Sequence, residues 1–336
     1  MTSTSAPPRL LADIGGTHIR LAWQRLPGGP LLDTHVFATR EHPTVQSAIE
    51  AYLAQVGNAL QGGGPLDAAL GIATPITGDE VRMTNHPWHF SQRALQAALG
   101  LRRLVVLNDF TALALALPTL TPGQLHQVGG GEAVAGAAMA LLGPGTGLGV
   151  SGLLLAPGDP CGVPLAGEGG HVTLAAQTPL EWDVLQVLRA RHGHVSAERA
   201  VCGTGLVDLY HAVCQLAQAP SQGVDQPAQV TERALQGGDP LALRALDLFC
   251  GFLGSVAGDL ALTLGARGGV YIGGGIVPRL GTWFAQSPFR ARFEAKGRFA
   301  PYLAAIPCWT IDPAANPALD GAARALDRTP ASFAQD

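Results

Sequence analysis

The stretch RRLVVLNDFTALALAL, residues 102–117, decides how the chain is read. RRLVVL is an aliphatic run of strand type. FTALALAL begins a helix that Pro118 stops. A strand that leads straight into a helix is the repeating step of an α/β protein. At the junction stand Asn108 and Asp109, in mostly apolar company. A carboxylate in such company is unfavourable unless something compensates it. Asn and Asp are favoured N-caps, so the pair reads first as the cap of the helix. The C-terminal ends of strands in α/β sheets are also where ligands bind, and a carboxylate there can accept a hydroxyl proton. The two duties are compatible.

The alternation continues on both sides. PRLLADI and HIRLAWQRL read as strands around a turn at GGT. TVQSAIEAYLAQVG has helical spacing, and LDAALGIATPI starts as a buried strand. SQRALQAALG is a helix with Ser91 as N-cap and Gly100 after its end. Beyond Pro118, GAAMALLGPGTGLGVSGLLLA is strand, glycine turn, strand. PLEWDVLQVLRARHG and GLVDLYHAVCQLAQ are helices, and the apolar stretch at 239–266 is a long buried helix. GGVYIGGGIVP is a strand running into glycines. DIGGTHIRLAW and GPGTGLGVSGL share a Gly-Thr between two strands. This short internal repeat suggests two related lobes, each with a turn suited to phosphate.

The chain has 336 residues, 47% hydrophobic and 14% charged, enough for a sizeable core and for two lobes. Its net charge is −4 and no Lys/Arg cluster appears, which argues against nucleic acid or a membrane surface as partner. Bound phosphate would then rely on backbone N–H groups or a metal ion. The five cysteines are scattered with no CxxC pair, so neither a disulfide framework nor a zinc knuckle is expected, and the cytoplasm is the natural compartment. The N-terminus lacks a signal-peptide pattern. Each apolar window is broken by Gly, Pro, Asp or Arg, so no membrane span is expected.

Several short stretches carry possible chemistry. In ADIGGT the glycines let backbone approach a phosphate, and Asp13 could face a metal ion; an ordinary hairpin would look the same. GPGTGLG is not a Walker A loop, which needs Gly-Lys-Ser/Thr, nor a dinucleotide fingerprint, because a strand and not a helix follows it. With GGG at 273–275, the two turns suggest three backbone surfaces around one nucleotide. AGEGGHVTLA sets Glu168 and His171 three apart. They could hydrogen-bond a polyol, or simply shape a surface loop. In GHVSAERAVCG, Ser196 reads as an N-cap with Glu198 in the first helical turn. MTNHPWHF, with His86, Trp88 and His89, could line a cleft or pack a loop.

Taken together, DIGGTHIRLA, TPITGDEVRMTNHPWHFS, LNDFTALALALP, GPGTGLGV, GEGGHV, GHVSAERAVCGTGLVDLY, VTERAL, GGVYIGGGIVPR and FRARFEAKGRF resemble the bacterial ATP-dependent glucokinases. These stretches stand in family order from about residue 10 to past 300. The resemblance implies an actin-like ATPase (ribonuclease H-like) fold, with a cleft between a small and a large α/β domain. The small lobe would span 1–118 plus about 312–336 and the large lobe 119–311. It implies MgATP on the glycine turns, with Ala12, Asp13, Ile14, Gly15, Gly16 and Thr17 in the first, Gly145, Thr146 and Gly147 in the second, and Gly274 in the third. Mg²⁺ would come with ATP, near Asp13, and not sit in a site of its own. Asp109 would be the general base and Asn108 its neighbour in the sugar site. Glu168, His171 and Glu198 would bind the hydroxyls of D-glucose. A homodimer is the usual assembly.

Two positions depart from the family pattern: Ala12 where Gly is usual, and His18 where Asn is usual. No cysteine follows His171 in VTLAAQTPLEW, which sets the chain apart from related kinases that carry a structural zinc motif there. Within sugar kinases, mannose, fructose or an N-acetylhexosamine remain open as substrates. So does the phosphoryl donor among ATP, ADP and polyphosphate. A sugar sensor that binds without phosphorylating is the rival class. The retained Asp13, Asp109 and glycine turns speak against it.

Overall fold

The computed structural model describes residues 6–57, 66–84, 86–156, 158–221 and 223–328. Asn85 in the 83–90 stretch, and the part of the expected C-terminal segment beyond 328, lie outside these residues. By packing, the chain divides into unit 1, Met1–Leu120, Ala156–Ala166 and Asn316–Asp336, and unit 2, Thr121–Leu155 and Gly167–Ala315. The expected division, 1–118 with 312–336 against 119–311, differs chiefly in the segment 156–166. That segment groups with unit 1 through its packing there.

Unit 1 contains β1 (Arg9–Ile14), β2 (His18–Gln24), β3 (Leu32–Ala38), α1 (Val45–Val56), β4 (Asp67–Ile72), β5 (Glu80–Arg82), β6 (His89–Ser91), α2 (Gln92–Ala98), β7 (Arg103–Asn108) and α3 (Asp109–Ala116). Two later elements complete it: α10 (Pro317–Asp327) and β11 (Asp159–Pro164), which packs on α3 and α10. Helix starts follow local chemistry. Thr44 and Ser47 close a capping box on α1, and Ser91 caps α2. Asn108 ends β7 by capping α3: its Oδ1 accepts the N–H of Phe110 at 2.9 Å and of Thr111 at 3.2 Å. The main sheet runs β3-β2-β1-β4-β7. β2 is antiparallel to β1, while β4 and β7 are parallel to it. Leu10, Ala12, Ile14, Leu70 and Ile72 are fully buried in its core. Trp88 is buried too, its indole N–H donating to the His42 carbonyl at 3.1 Å. It packs the loop, whereas the exposed His89 pairs with Glu80 at 2.7 Å.

Unit 2 contains β8 (Leu125–Val128), β9 (Met139–Pro144), β10 (Leu148–Ala156), α4 (Pro179–His192), α5 (Gly203–Leu216), α6 (Pro227–Leu235), α7 (Pro240–Leu264), β12 (Val270–Ile272), α8 (Phe289–Glu294), α9 (Ala300–Ala304) and β13 (Cys308–Ile311). Its strands run β10-β9-β12-β13-β8. β10 is antiparallel to β9, and β12 and β13 continue parallel from β9. The order β2-β1-β4-β7 in unit 1 and β10-β9-β12-β13 in unit 2 is thus one topology used twice. The short Gly-Thr repeat marks the equivalent hairpin turn in each.

Asp239 caps α7 through Leu241 and Ala242 N–H, and Gly265, at φ +61°, ends it in the left-handed conformation. α7 is long and apolar enough to cross a membrane by composition, but 78% of its most apolar window is buried, against α5, α6 and α8 among others. All five cysteines are free thiols, and Cys202, Cys214, Cys250 and Cys308 are buried.

Ser196 is not a helix cap. It forms an isolated bridge with Thr173, and the next N–H, of Ala197, donates to the Val172 carbonyl at 2.9 Å. The helix starts later, at Gly203, with Cys202 as its cap. Pairing with a distant segment has outcompeted the local cap signal.

Candidate active site

In unit 1 the parallel strands end side by side. Ile14, Ile72 and Asn108 lie in one row of the sheet, so the turn after β1 and the start of α3 are near neighbours. The turn Gly15–Thr17 is closed by Gly15 N–H to His18 C=O at 2.9 Å. It is braced by Thr39, whose N–H donates to Thr17 C=O at 2.9 Å and whose hydroxyl donates to Gly15 C=O at 3.0 Å. Ala12 and Ile14 point into the core, so what they offer a ligand is backbone. Asp13 alternates to the other face. Arg20 stands opposite it in the β1–β2 register and binds its Oδ2 at 3.1 Å. Burial raises the Asp13 carboxyl above its ordinary range, and the Arg20 guanidinium pulls it back.

Asp109 opens α3. Its Oδ1 accepts from Phe110 N–H at 2.9 Å and from the Asn108 amide at 3.0 Å. Burial first, then the nearby Asp13 charge, push its carboxyl up to about 6, against the opposing hydrogen bonds from Phe110 and Asn108. The same Asn108 amide lies 3.4 Å from the Thr74 carbonyl. Gly71 lets α3 settle this close to the sheet: a Cβ there would stand 3.2 Å from Ala112 Cβ and 3.7 Å from Asp109 Cα.

In unit 2 the turn Gly145–Gly147 is closed by Gly145 N–H to Gly147 C=O at 2.8 Å. Gly203, the first residue of α5, donates its N–H to Gly145 C=O at 2.9 Å, which sets the N-terminus of that helix beside the turn. Gly274, at φ +79°, touches the strand before the turn; a Cβ would fall 2.4 Å from the Pro144 carbonyl oxygen. Gly145, Thr146, Gly147 and Gly274 therefore belong to one backbone surface. Pro227 at the head of α6 reaches Gly203. Beside it is a cavity of about 350 Å³ lined by Pro227, Thr231, Glu232, Leu235, Ile276 and Arg279.

Glu168, His171 and Glu198 also come together in unit 2. His171 N–H donates to Glu168 C=O at 3.0 Å, and Glu198 N–H to Gly170 C=O at 2.8 Å. Glu168 and His171 are exposed and Glu198 half-buried. Among the described residues no group of three or more His, Cys, Asp or Glu side chains is placed to hold a metal ion. At the first turn Asp13 offers a carboxylate, with Asp109 near it. That set fits a Mg²⁺ ion carried mainly by phosphate oxygens and water.

Sequence reasoning missed Arg20, Thr39, Gly71 and Gly203. Only Arg20 left a trace, as a charge among the apolar residues at the centre of its strand. The other three matter through contacts that the fold creates.

The family model described as "Glucokinase" matches residues 10–329. The glucokinase of Aromatoleum aromaticum is 56% identical over 95% of this chain and 95% of its own length. That of Chromobacterium violaceum is 51% identical over 96% and 91%. The crystal structure of a glucokinase from an Antarctic psychrotroph superposes with a TM-score of 0.86 at 35% identity, covering 97% of this chain and 100% of that one.

Proposed function

The chain belongs to the glucokinase family, sugar kinases of the actin-like ATPase fold, and on that premise we propose that it transfers the γ-phosphoryl of ATP to the 6-hydroxyl of D-glucose, giving glucose 6-phosphate and ADP. The observation that carries the reading is Asp109: a carboxylate at the end of a parallel strand, beside the first glycine turn, whose hydrogen bonds from Phe110 and Asn108 fall on Oδ1. Oδ2 is then the oxygen that accepts the 6-hydroxyl proton as the sugar oxygen attacks phosphorus. Asn108 holds the base in place and lies in the sugar site. Glu168, His171 and Glu198 hold the other hydroxyls, which fixes the attacking oxygen in orientation. The N–H groups of the two turns and of the α5 N-terminus receive the phosphates, and the cavity beside Pro227 receives the base of the nucleotide. Mg²⁺ bound with ATP supplies charge neutralisation at the transferring phosphoryl group. Asp13 would be the residue that faces it, with its carboxylate bound by Arg20. The cytoplasm and a homodimer belong to the same reading.

Hexose phosphate formation, measured by a coupled assay over a panel of hexoses and phosphoryl donors, with ADP release followed when ATP is the donor, tests this directly. Glucose with MgATP is expected to be the preferred pair. No hexose phosphate from any pair would turn the reading towards a sugar sensor. His171→Ala is expected to raise KM for glucose about tenfold with a smaller change in kcat, the effect of losing one substrate hydrogen bond. An unchanged KM removes His171 from the sugar site.

The pH profile follows from the Asp109 carboxyl. A base must be ionised to act, so kcat/KM is expected to rise with pH through about 6 and level off above it. An acid limb centred near the ordinary Asp value of 3.8 would separate Asp109 from the proton transfer.

A further inference from the structure

Glu198 has a second partner that its place in the chain does not suggest. Its Oε2 accepts the backbone N–H of Leu148 at 2.8 Å, immediately after the Gly145–Gly147 turn. There is little room at this point: a Cβ on Gly147 would stand 2.4 Å from the same Oε2. The backbone of Glu198 is held by Gly170 at 2.8 Å. Gly170 in turn lies against Leu148, where a Cβ would fall 2.2 Å from the carbonyl oxygen. The turn assigned to phosphate and the segment assigned to sugar are therefore fastened through one carboxylate.

Resting on the function given above, we propose that Glu198 couples the two substrates: Oε2 anchors the end of the phosphate turn, while Oε1 takes a sugar hydroxyl. A carboxylate with one oxygen already fixed presents the other in a set direction. A phosphate that draws on the N–H groups of the turn shifts Leu148 N–H and so the aim of Oε1. Whatever factor the nucleotide applies to sugar affinity, the sugar must apply to nucleotide affinity. Glu198 is thus a positioning residue for the nucleotide as well as a sugar ligand.

Calorimetric titrations of glucose without nucleotide, and of AMPPNP without sugar, test the coupling on the full chain. In Gly147→Ala the new methyl meets only the end of a flexible side chain, so the fold is expected to hold with Glu198 pushed off Leu148. The glucose dissociation constant is expected to rise about tenfold, although residue 147 lies in the phosphate turn. In a Glu198→Ala background the same substitution is expected to add less than about twofold, because the two changes act through one contact. Glu198→Ala alone is expected to weaken AMPPNP binding about threefold or more, by leaving Leu148 N–H without its acceptor.

Unchanged glucose affinity in folded Gly147→Ala overturns the coupling, as does an equal penalty with and without the Glu198 side chain. Should Gly147→Ala fail to fold, unchanged AMPPNP affinity in Glu198→Ala overturns it instead. A wild-type chain that binds AMPPNP but no hexose overturns the functional reading, and the coupling with it. The coupling fails alone only where both ligands bind.

Discussion

Asp109→Asn is expected to lower kcat on the order of 10³-fold while MgATP still binds, the size typical of a lost general base. The substitution is nearly isosteric. An Asn carbonyl can still accept the Phe110 N–H that Oδ1 accepts at 2.9 Å, so the start of α3 should stay in place. What is lost is the proton acceptor. Steady-state kinetics with a separate nucleotide titration check both halves, and a kcat within tenfold of wild type in a folded variant sinks the assignment.

Stability should move the other way. The folded state binds the Asp109 proton more tightly than the unfolded chain, because the carboxyl is raised from 3.8 to about 6. Stability from this group is therefore complete below the unfolded value and is lost as pH rises through the folded one. Asn carries no such loss. Asp109→Asn should gain on wild type in urea unfolding between about pH 4 and about pH 7, and a gain that shrinks with rising pH contradicts the raised carboxyl.

Gly321→Ala is expected to destabilise the protein by about 3 kcal/mol or more, at or beyond the upper end for overpacking. α10 packs closely on α3, and a Cβ at residue 321 would fall 1.7 Å from the Ala112 carbonyl oxygen. No rotamer relieves a clash with backbone, so the helices must separate. α3 begins at Asp109, which makes activity fall with stability. Gly78→Ala is the control: nothing lies within 4 Å of its Cβ position, so its effect should stay within about 0.5 kcal/mol. Equal urea midpoints for Gly321→Ala and wild type would mean that the two helices are not in contact as described.

Most elements were legible because their signals are local. Thr44, Ser91 and Asn108 cap helices through N–H groups two or three residues away, so the pattern is complete within a short window. The two hairpins were legible for the same reason, a strand, a glycine turn and a strand. Ser196 shows the limit. Its surroundings read as a helix start, but residues 172–174 claim the backbone of 195–197. The family resemblance gathered Glu168, His171 and Glu198 into one list. Their shared surface comes from pairing between segments more than twenty residues apart, as in Leu174 with Val195.

By itself the sequence determined the α/β class, the doubled hairpin, the cap at Asn108–Asp109 and, through nine stretches in family order, the family. These rest on contacts within a few residues or on the chain's likeness to others. Only the tertiary structure decided that Asp13 faces Arg20, that Asp109 shares its electrostatic surroundings with Asp13, that Gly71 and Gly321 let α3 pack so closely, and that Glu198 is tied to Leu148. Each of these is set by strand register, by helix packing or, for Glu198, by a loop side chain reaching a strand, between residues at least seven places apart in the chain. A carboxylate's proton affinity depends on what surrounds it in space, and for Asp109 those surroundings exist only once β1, β4, β7 and α3 have assembled.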